Sequence, residues 1–172
     1  MDRDTSRADH PLLAQLEIQT AVTRMLHAID ALDWQTFRAA FEPELGLDFT
    51  SLFPGRPETI TLDTLLSRWV PFAHGFDATQ HLIGPVVLMQ THGRRATAEA
   101  HVHASHYLTE AEGGALWIAA GHYEWTLLSH ESSWTIAGII FKLSFQHGNR
   151  RLPELAMERG AAGHGRPLPT SS

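Results

Sequence analysis

Ala96-Thr97-Ala98-Glu99-Ala100-His101-Val102-His103-Ala104-Ser105-His106-Tyr107 changes character at every step. Successive side chains of a β-strand point to opposite faces, so this stretch reads as one long two-faced strand. One face carries Thr97, Glu99, His101, His103, Ser105 and Tyr107. The other carries Ala98, Ala100, Val102, Ala104 and then His106. His106 is the odd polar group on a face of small apolar residues, and small residues leave room for something against the sheet. A core histidine held by one hydrogen bond would give the same pattern.

Outward from this strand the chain divides in two. Downstream, Leu116–Leu128 and Trp134–Gln146 read as further long strands, separated by Gly113-Gly114 and by a polar turn. Immediately upstream, Ala78–Met89 reads as a strand kinked at Gly84-Pro85. Before that the period changes. Val22, Met25, Leu26 and Ile29 fall at i, i+3, i+4 and i+7, the stripe of an amphipathic helix starting near Pro11. Asp33 is placed to cap a short second helix with Trp34, Phe37 and Phe41 on its buried face, ended by Pro43. Leu45, Leu47 and Phe49 alternate as a short strand, and Pro54-Gly55-Arg56-Pro57 reads as a loop. Thr61 can cap a third helix carrying Leu62, Leu65, Leu66, Trp69 and Val70, with Pro71 as its stop. Three helices followed by an antiparallel meander is an α+β pattern. Residues 1–10 are expected to be a flexible N-terminus, 11–150 one domain, and 151–172, rich in Gly, Pro, Ala and Ser, a mobile tail.

Composition narrows the functions available. The 172 residues carry 13 basic and 19 acidic side chains, a formal charge of −6, which argues against a broad nucleic-acid-binding surface. The absence of cysteine excludes disulfides, thiolate catalysis and zinc–thiolate sites. No apolar run approaches a membrane span, and Met1–His10 lacks the apolar core of a signal peptide, so a cytoplasmic location is expected.

The chemistry sits in histidines and one aspartate. Thr79-Gln80-His81-Leu82-Ile83-Gly84 places an imidazole on a strand face shared with Thr79 and Ile83. Asp30 lies beside the apolar stripe near the end of the first helix. A carboxylate and two imidazoles, Asp30, His81 and His106, would suffice for acid–base chemistry if they converge. His101 and His103 share a face and could chelate a metal, but no third ligand stands at a fixed spacing, and no metal or organic cofactor is expected. His122 falls with Ile118, Ala120 and Glu124, opposite Trp117, Ala119, Tyr123 and Trp125, unless a bulge at Gly121 reverses the faces.

In order, these pieces resemble the SnoaL-like branch of the nuclear transport factor 2-like superfamily. The resemblance runs from about Leu12 to Gly148. It rests on Asp30-Ala31-Leu32-Asp33-Trp34, Thr79-Gln80-His81-Leu82-Ile83-Gly84, Gly121-His122-Tyr123-Glu124 and Trp134-Thr135-Ile136-Ala137. It implies a cone of helices closed by a curved mixed sheet around an apolar pocket. Scytalone dehydratase-like members are similar at Asp30, at Thr79-Gln80-His81 and at His106, which implies that Asp30 orients His81 while the histidines move protons. Two tyrosines of those members correspond here to Ile29 and Phe49. The resemblance further implies substrate-binding roles for Phe49, Phe53, Trp69, Phe72 and His122 around a hydrophobic small molecule.

The expectation is a cofactor-independent lyase, isomerase or polyketide-cyclase-like enzyme. The alternative is a non-catalytic ligand-binding or dimerisation module on the same scaffold, in which Asp30, His81 and His106 do not share a pocket. A homodimer is expected in either case, with the outward set His101, His103, Ser105 and Tyr107 as its surface.

Overall fold

A computed structural model describes residues 11–131 and 133–167. The N-terminal segment 1–10 and the last residues of the expected tail lie outside them. Two helices, α1 (Pro11–Ala31) and α2 (Trp34–Ala39), precede a hairpin-like pair, β1 (Phe41–Asp48) and β2 (Glu58–Thr61). Then come α3 (Leu62–Gly75), β3 (Ala78–Ile83), β4 (Val87–His92), β5 (Arg95–Tyr107), β6 (Leu116–Ser129), β7 (Trp134–Gly148) and α4 (Leu152–Ala161). The seven strands form one curled, unclosed sheet in the order β2-β1-β7-β6-β5-β3, with β4 also paired to β5. β1 runs parallel to β7 and every other pairing is antiparallel, so the sheet is mixed. Among the described residues no helix is long and apolar enough to cross a membrane.

The predicted stripe of α1 is the face it buries: Val22, Met25, Leu26 and Ile29 are all in the core, and the helix packs against β3, β4 and β7. The helix ends in a Schellman motif. Asp33 N–H reaches Ala28 O at 2.8 Å, Leu32 N–H reaches Ile29 O at 3.2 Å, and Leu32 takes the left-handed conformation with φ 58°. Glycine usually fills that position because a side chain is strained there. Leu32 is held in it by near-complete burial. Asp33 then caps α2, accepting from Thr36 N–H at 3.0 Å. Asp30 is thereby fixed in the last turn of α1.

Four sequence expectations fail, each for a tertiary reason. Pro43 does not stop α2; the helix ends at Ala39 and Pro43 lies inside β1, within the stretch where the register with β7 shifts. Interruptions of that kind tolerate a proline's missing N–H. Pro71 does not end α3, which continues to Gly75 and buries Ala73 beyond it. The strand β2 was not expected. The segment after 150 does not begin as a mobile tail: α4 forms at once, buries Leu152 and Ala156, and packs on α3. The approach is close enough that a Cβ on Gly160 would fall 1.8 Å from Pro71 O, and one on Gly75 would fall 1.7 Å from Ala156 O. The glycine and alanine content that suggested a tail is instead what lets two helices touch.

Candidate active site

Strand register brings the polar groups together. In the β3–β5 ladder Thr79 stands opposite His106 and His81 opposite Ala104. With a period of two, Thr79, His81, Ala104 and His106 all face the concave side of the sheet. His81 and His106 are diagonal neighbours, with ring centroids 5.6 Å apart at 83°.

The end of α1 lies over this patch. Asp30 accepts three hydrogen bonds from β3: Thr79 Oγ1 to Oδ1 at 2.8 Å, His81 N–H to Oδ2 at 2.8 Å, and the His81 ring through Nδ1 to Oδ1 at 2.7 Å. Burial works to raise the Asp30 carboxyl pKa, but the His81 ring, His81 N–H and Thr79 outweigh it, and the group sits below its ordinary 3.8. Asp30 is therefore ionised and can only accept. The His81 Nδ1 must carry the proton in that bond, which leaves the lone pair of a neutral ring on Nε2. Both side chains are largely covered, His81 10% and Asp30 18% exposed.

His106 sits deeper. Its ring packs on Trp117 (centroids 4.5 Å apart), Phe76 (4.9 Å) and Phe72 (6.2 Å). Burial, reinforced by the neighbouring His81, drives its pKa down from 6.5 to about 3; Asp30 and the main chain at Trp117 and Ala104 oppose the shift. His106 is thus a neutral imidazole at any ordinary pH. Its Nδ1 is buried and has no hydrogen-bond partner among the described residues.

His81, His106 and Thr79 line one cavity of about 840 Å3. Asp30 stands behind His81. The rest of the deep wall is aromatic and aliphatic, and Phe49, Phe53, Trp69 and Phe72 all belong to it, as do Ile29 and Trp117. Phe49 meets Trp69 edge-on at 5.6 Å, and Phe53 meets Phe72 edge-on at 6.4 Å. Toward the mouth the lining turns polar, with Arg56, Glu58, Arg68, Arg150 and Glu154. Arg68 is spent on Glu58.

His122 is not part of this cavity. Against β5 the ladder runs without interruption, from His106 opposite Trp117 to Ala100 opposite Tyr123, so Gly121 does not reverse the faces there. The irregularity at Ala120/Gly121 falls on the β7 side, where a Cβ on Gly121 would meet Lys142 O at 2.1 Å. His122 points outward, 3.6 Å from Glu124, with its ring 6.1 Å from that of His101. His101 and His103 are exposed on that outer face. Among the described residues no group of three or more His, Asp or Glu is arranged to hold a metal.

Two residues of the site were not singled out from sequence. Tyr123 lies on the inner face and lines the cavity; its alternation with Trp117, Ala119 and Trp125 was a usable signal. Arg166 had none. It follows α4, and its main chain clasps His74: Arg166 N–H to His74 O at 2.7 Å, and His74 Nδ1 to Arg166 O at 2.8 Å. Trp34 Nε1 donates to His74 Nε2 at 3.1 Å, which fixes the His74 proton on Nδ1. From there Arg166 Nη1 donates to Asp30 O at 2.9 Å, satisfying a carbonyl at the open end of α1.

The SnoaL-like domain model matches residues 10–139. The chain belongs to that family. Among solved structures, a Kribbella flavida protein, Kfla4162, is similar at 25% identity, with 84% of this chain and 99% of that one covered and a TM-score of 0.76. A Novosphingobium aromaticivorans protein provisionally named a scytalone dehydratase is 16% identical over 82% of this chain and 91% of its own, TM-score 0.72. The hexachlorocyclohexane dehydrochlorinase LinA, type 2, is 14% identical over 81% and 90%, TM-score 0.63. No curated protein matches the chain. The matched segment ends within β7, before α4 and Arg166, so the clasp on Asp30 comes from residues outside that segment.

Proposed function

We propose that this SnoaL-like protein is a cofactor-independent lyase or isomerase that moves a proton on a hydrophobic small molecule. The observation that carries the reading is the Asp30–His81 pair, 2.7 Å apart, presented to an apolar cavity with a neutral imidazole beside it. Elimination, double-bond migration and ring closure next to an electron-withdrawing group share one first step, removal of a proton from carbon. His81 Nε2 takes that proton, and the adjacent Asp30 carboxylate stabilises the imidazolium that results. His106 does not deliver a proton as an imidazolium, because burial keeps it neutral. Its role is to hydrogen-bond the oxygen on which charge develops. The proton on His81 then returns to another carbon or leaves with a departing group, and which of these occurs depends on the substrate. The dehydratase-type and dehydrochlorinase neighbours agree with this general chemistry.

A substrate-independent test is deuterium incorporation from D2O at the carbon next to the carbonyl of hydrophobic aryl ketones. The protein is expected to accelerate exchange for at least one ketone of a panel sized to the cavity. His81→Ala and Asp30→Asn should each lower that rate by about 10²–10⁴-fold. Exchange at the same rate in His81→Ala would sink the proposal and favour a ligand-binding module.

A further inference from the structure

The mouth of the cavity has two sides, and they are held differently. One side is α4 and the turn before it, with Arg150, Pro153, Glu154 and Met157. That side is locked to α3. Gly75 and Gly160 let the two helices touch, and Leu152 and Ala156 are fully buried. Arg159 Nη1 adds hydrogen bonds to Gly75 O at 2.9 Å and to Asp77 Oδ1 at 2.6 Å. The other side is the connection 49–57 between β1 and β2. Its first half is pinned. Thr50 bonds back to Asp48, and the Leu52 and Phe53 N–H groups both reach Phe49 O at 2.9 Å. Ser51 Oγ joins β7, donating to Phe141 O at 2.6 Å and accepting from Leu143 N–H at 2.9 Å. The second half has no such anchors. Pro54, Gly55 and Arg56 are exposed and make no hydrogen bond among the described residues, and a Cβ on Gly55 would meet nothing within 4 Å.

Phe53 stands where the two halves meet. It lines the cavity and is 38% exposed, so it belongs to the wall and to the surface at once. Its ring touches the rest of the wall loosely, with centroids 6.4 Å from Phe72 and 6.3 Å from Trp117. By contrast Trp117 lies 4.5 Å from His106, and Phe72 lies 5.1 Å from Phe76. His81 and His106 are nearly covered, so a ligand needs a part of the wall that yields. We propose that Phe53–Pro57 is the gate of the cavity, with Ser51 as its fixed post and Phe53 as the leaf that swings out to admit a hydrophobic ligand and back to exclude water. This rests on the cavity being the ligand site, as proposed above. A segment with few buried contacts and few hydrogen bonds opens at little free-energy cost, whereas moving α4 breaks its packing on α3 and both Arg159 bonds. Closure serves the chemistry, because water beside the Asp30–His81 pair weakens its electrostatics.

The test is the binding kinetics of 1-aminoanthracene, an apolar fluorescent probe, followed by stopped flow on the full chain and on its Phe53→Ala variant. A residue that is only a contact changes dissociation above all. A gate leaf changes both directions, so association and dissociation should speed up together by about tenfold in Phe53→Ala, with the dissociation constant within about twofold of the parent's. Phe53→Leu keeps an apolar leaf and should fall between the two. Hydrogen exchange locates the moving part. The Phe53, Gly55 and Arg56 amides should exchange fast in the free protein and slow down when the probe saturates it, while the amides of α4 stay slow in both states. A rise in dissociation alone overturns the proposal, and so does protection by the probe confined to α4, or a parent chain that binds no probe. None of these readouts needs proton transfer. A failed gate with His81-dependent deuterium exchange intact leaves the proposed function standing, and coupled probe rates without that exchange do the reverse.

Discussion

The two faces of β5 and β6 carry the same residue type to opposite ends. On the outer face His101 and His122 lie 6.1 Å apart, with the Glu124 carboxylate 3.6 Å from His122; His101 is exposed and His122 half-buried. On the inner face His81 and His106 lie 5.6 Å apart with Asp30 2.7 Å from His81. The ring separations are similar. What differs is the carboxylate, hydrogen-bonded to its histidine inside and out of hydrogen-bond reach outside, and the medium. Water reaches the outer rings and Lys142 already pairs with Glu124, so that carboxylate's pull on His122 is screened and shared. Inside, the carboxylate is clamped by three donors and the second imidazole is stripped of water, so one histidine has a fixed tautomer and the other a fixed charge. Proximity of histidines is not enough; enclosure assigns them roles.

The largest effect that could break this comparison is on turnover. Alanine at His81 should cost about 10²–10⁴-fold in the ketone exchange rate, whereas alanine at His101 or at His122 should leave it within about twofold. The check is one exchange assay run on the three variants side by side. A loss of tenfold or more in His122→Ala would mean that the outer face feeds the site.

Most of this division was legible in the sequence. Strict alternation from Ala96 to Tyr107 put His106 on one side and His101 and His103 on the other, because a strand's period of two leaves no freedom once the register is uninterrupted. The aromatic wall at Phe49, Phe53, Trp69 and Phe72 came only through the family resemblance, and the cavity lining contains all four. His122 was not legible, because a glycine can reverse a strand's faces. Only the ladder shows that Gly121 disturbs the β7 side and spares the β5 side. Pro43 and Pro71 were overread as stops, since local propensity yields to packing worth several kcal/mol. Arg166 could not be read at all. Nothing in Gly165-Arg166-Pro167 announces that it returns 136 positions to Asp30.

The next effect is on stability, and it sets inner against outer histidines by pH. His106 titrates near 6.5 when unfolded and at about 3 when folded. Between those values the unfolded chain binds a proton that the folded chain does not, so acid favours unfolding in that window. The slope is at most about 1.4 kcal/mol per pH unit, or about 2 kcal/mol lost between pH 6.5 and 5. Asp30 acts in the same direction at lower pH. Its folded value lies below 3.8, so its stabilisation is complete above that value and is lost as pH falls through the folded one. In His106→Phe the window between pH 6.5 and 5 should flatten by most of that 2 kcal/mol, measured as urea midpoints at the two pH values. The same substitution replaces a buried nitrogen without a partner by carbon, so stability at pH 7 should hold or rise while exchange activity falls. An undiminished acid slope in the variant would place the proton uptake elsewhere.

The smallest effect contrasts the end of α1 with the strap that follows α4. Arg166 donates one hydrogen bond to Asp30 O, yet its Nε and Nη2 are buried without partners among the described residues. Replacing it with methionine removes one bond to a charged donor and also relieves two unmet donors, and these changes oppose each other. The strap itself should stay in place, since its main chain remains clasped to His74 through two hydrogen bonds. Stability should therefore change by about 1 kcal/mol or less, with either sign. Asp30, however, loses the contact that steadies the end of its helix. An oriented pair is sensitive to small displacements, so the exchange rate should fall by roughly three- to tenfold with little change in the ketone concentration giving half-maximal rate. Lysine at the same position can still reach a carbonyl and should restore part of the rate. A methionine variant that unfolds several kcal/mol more easily would show that the strap holds the fold together, not the angle of the carboxylate.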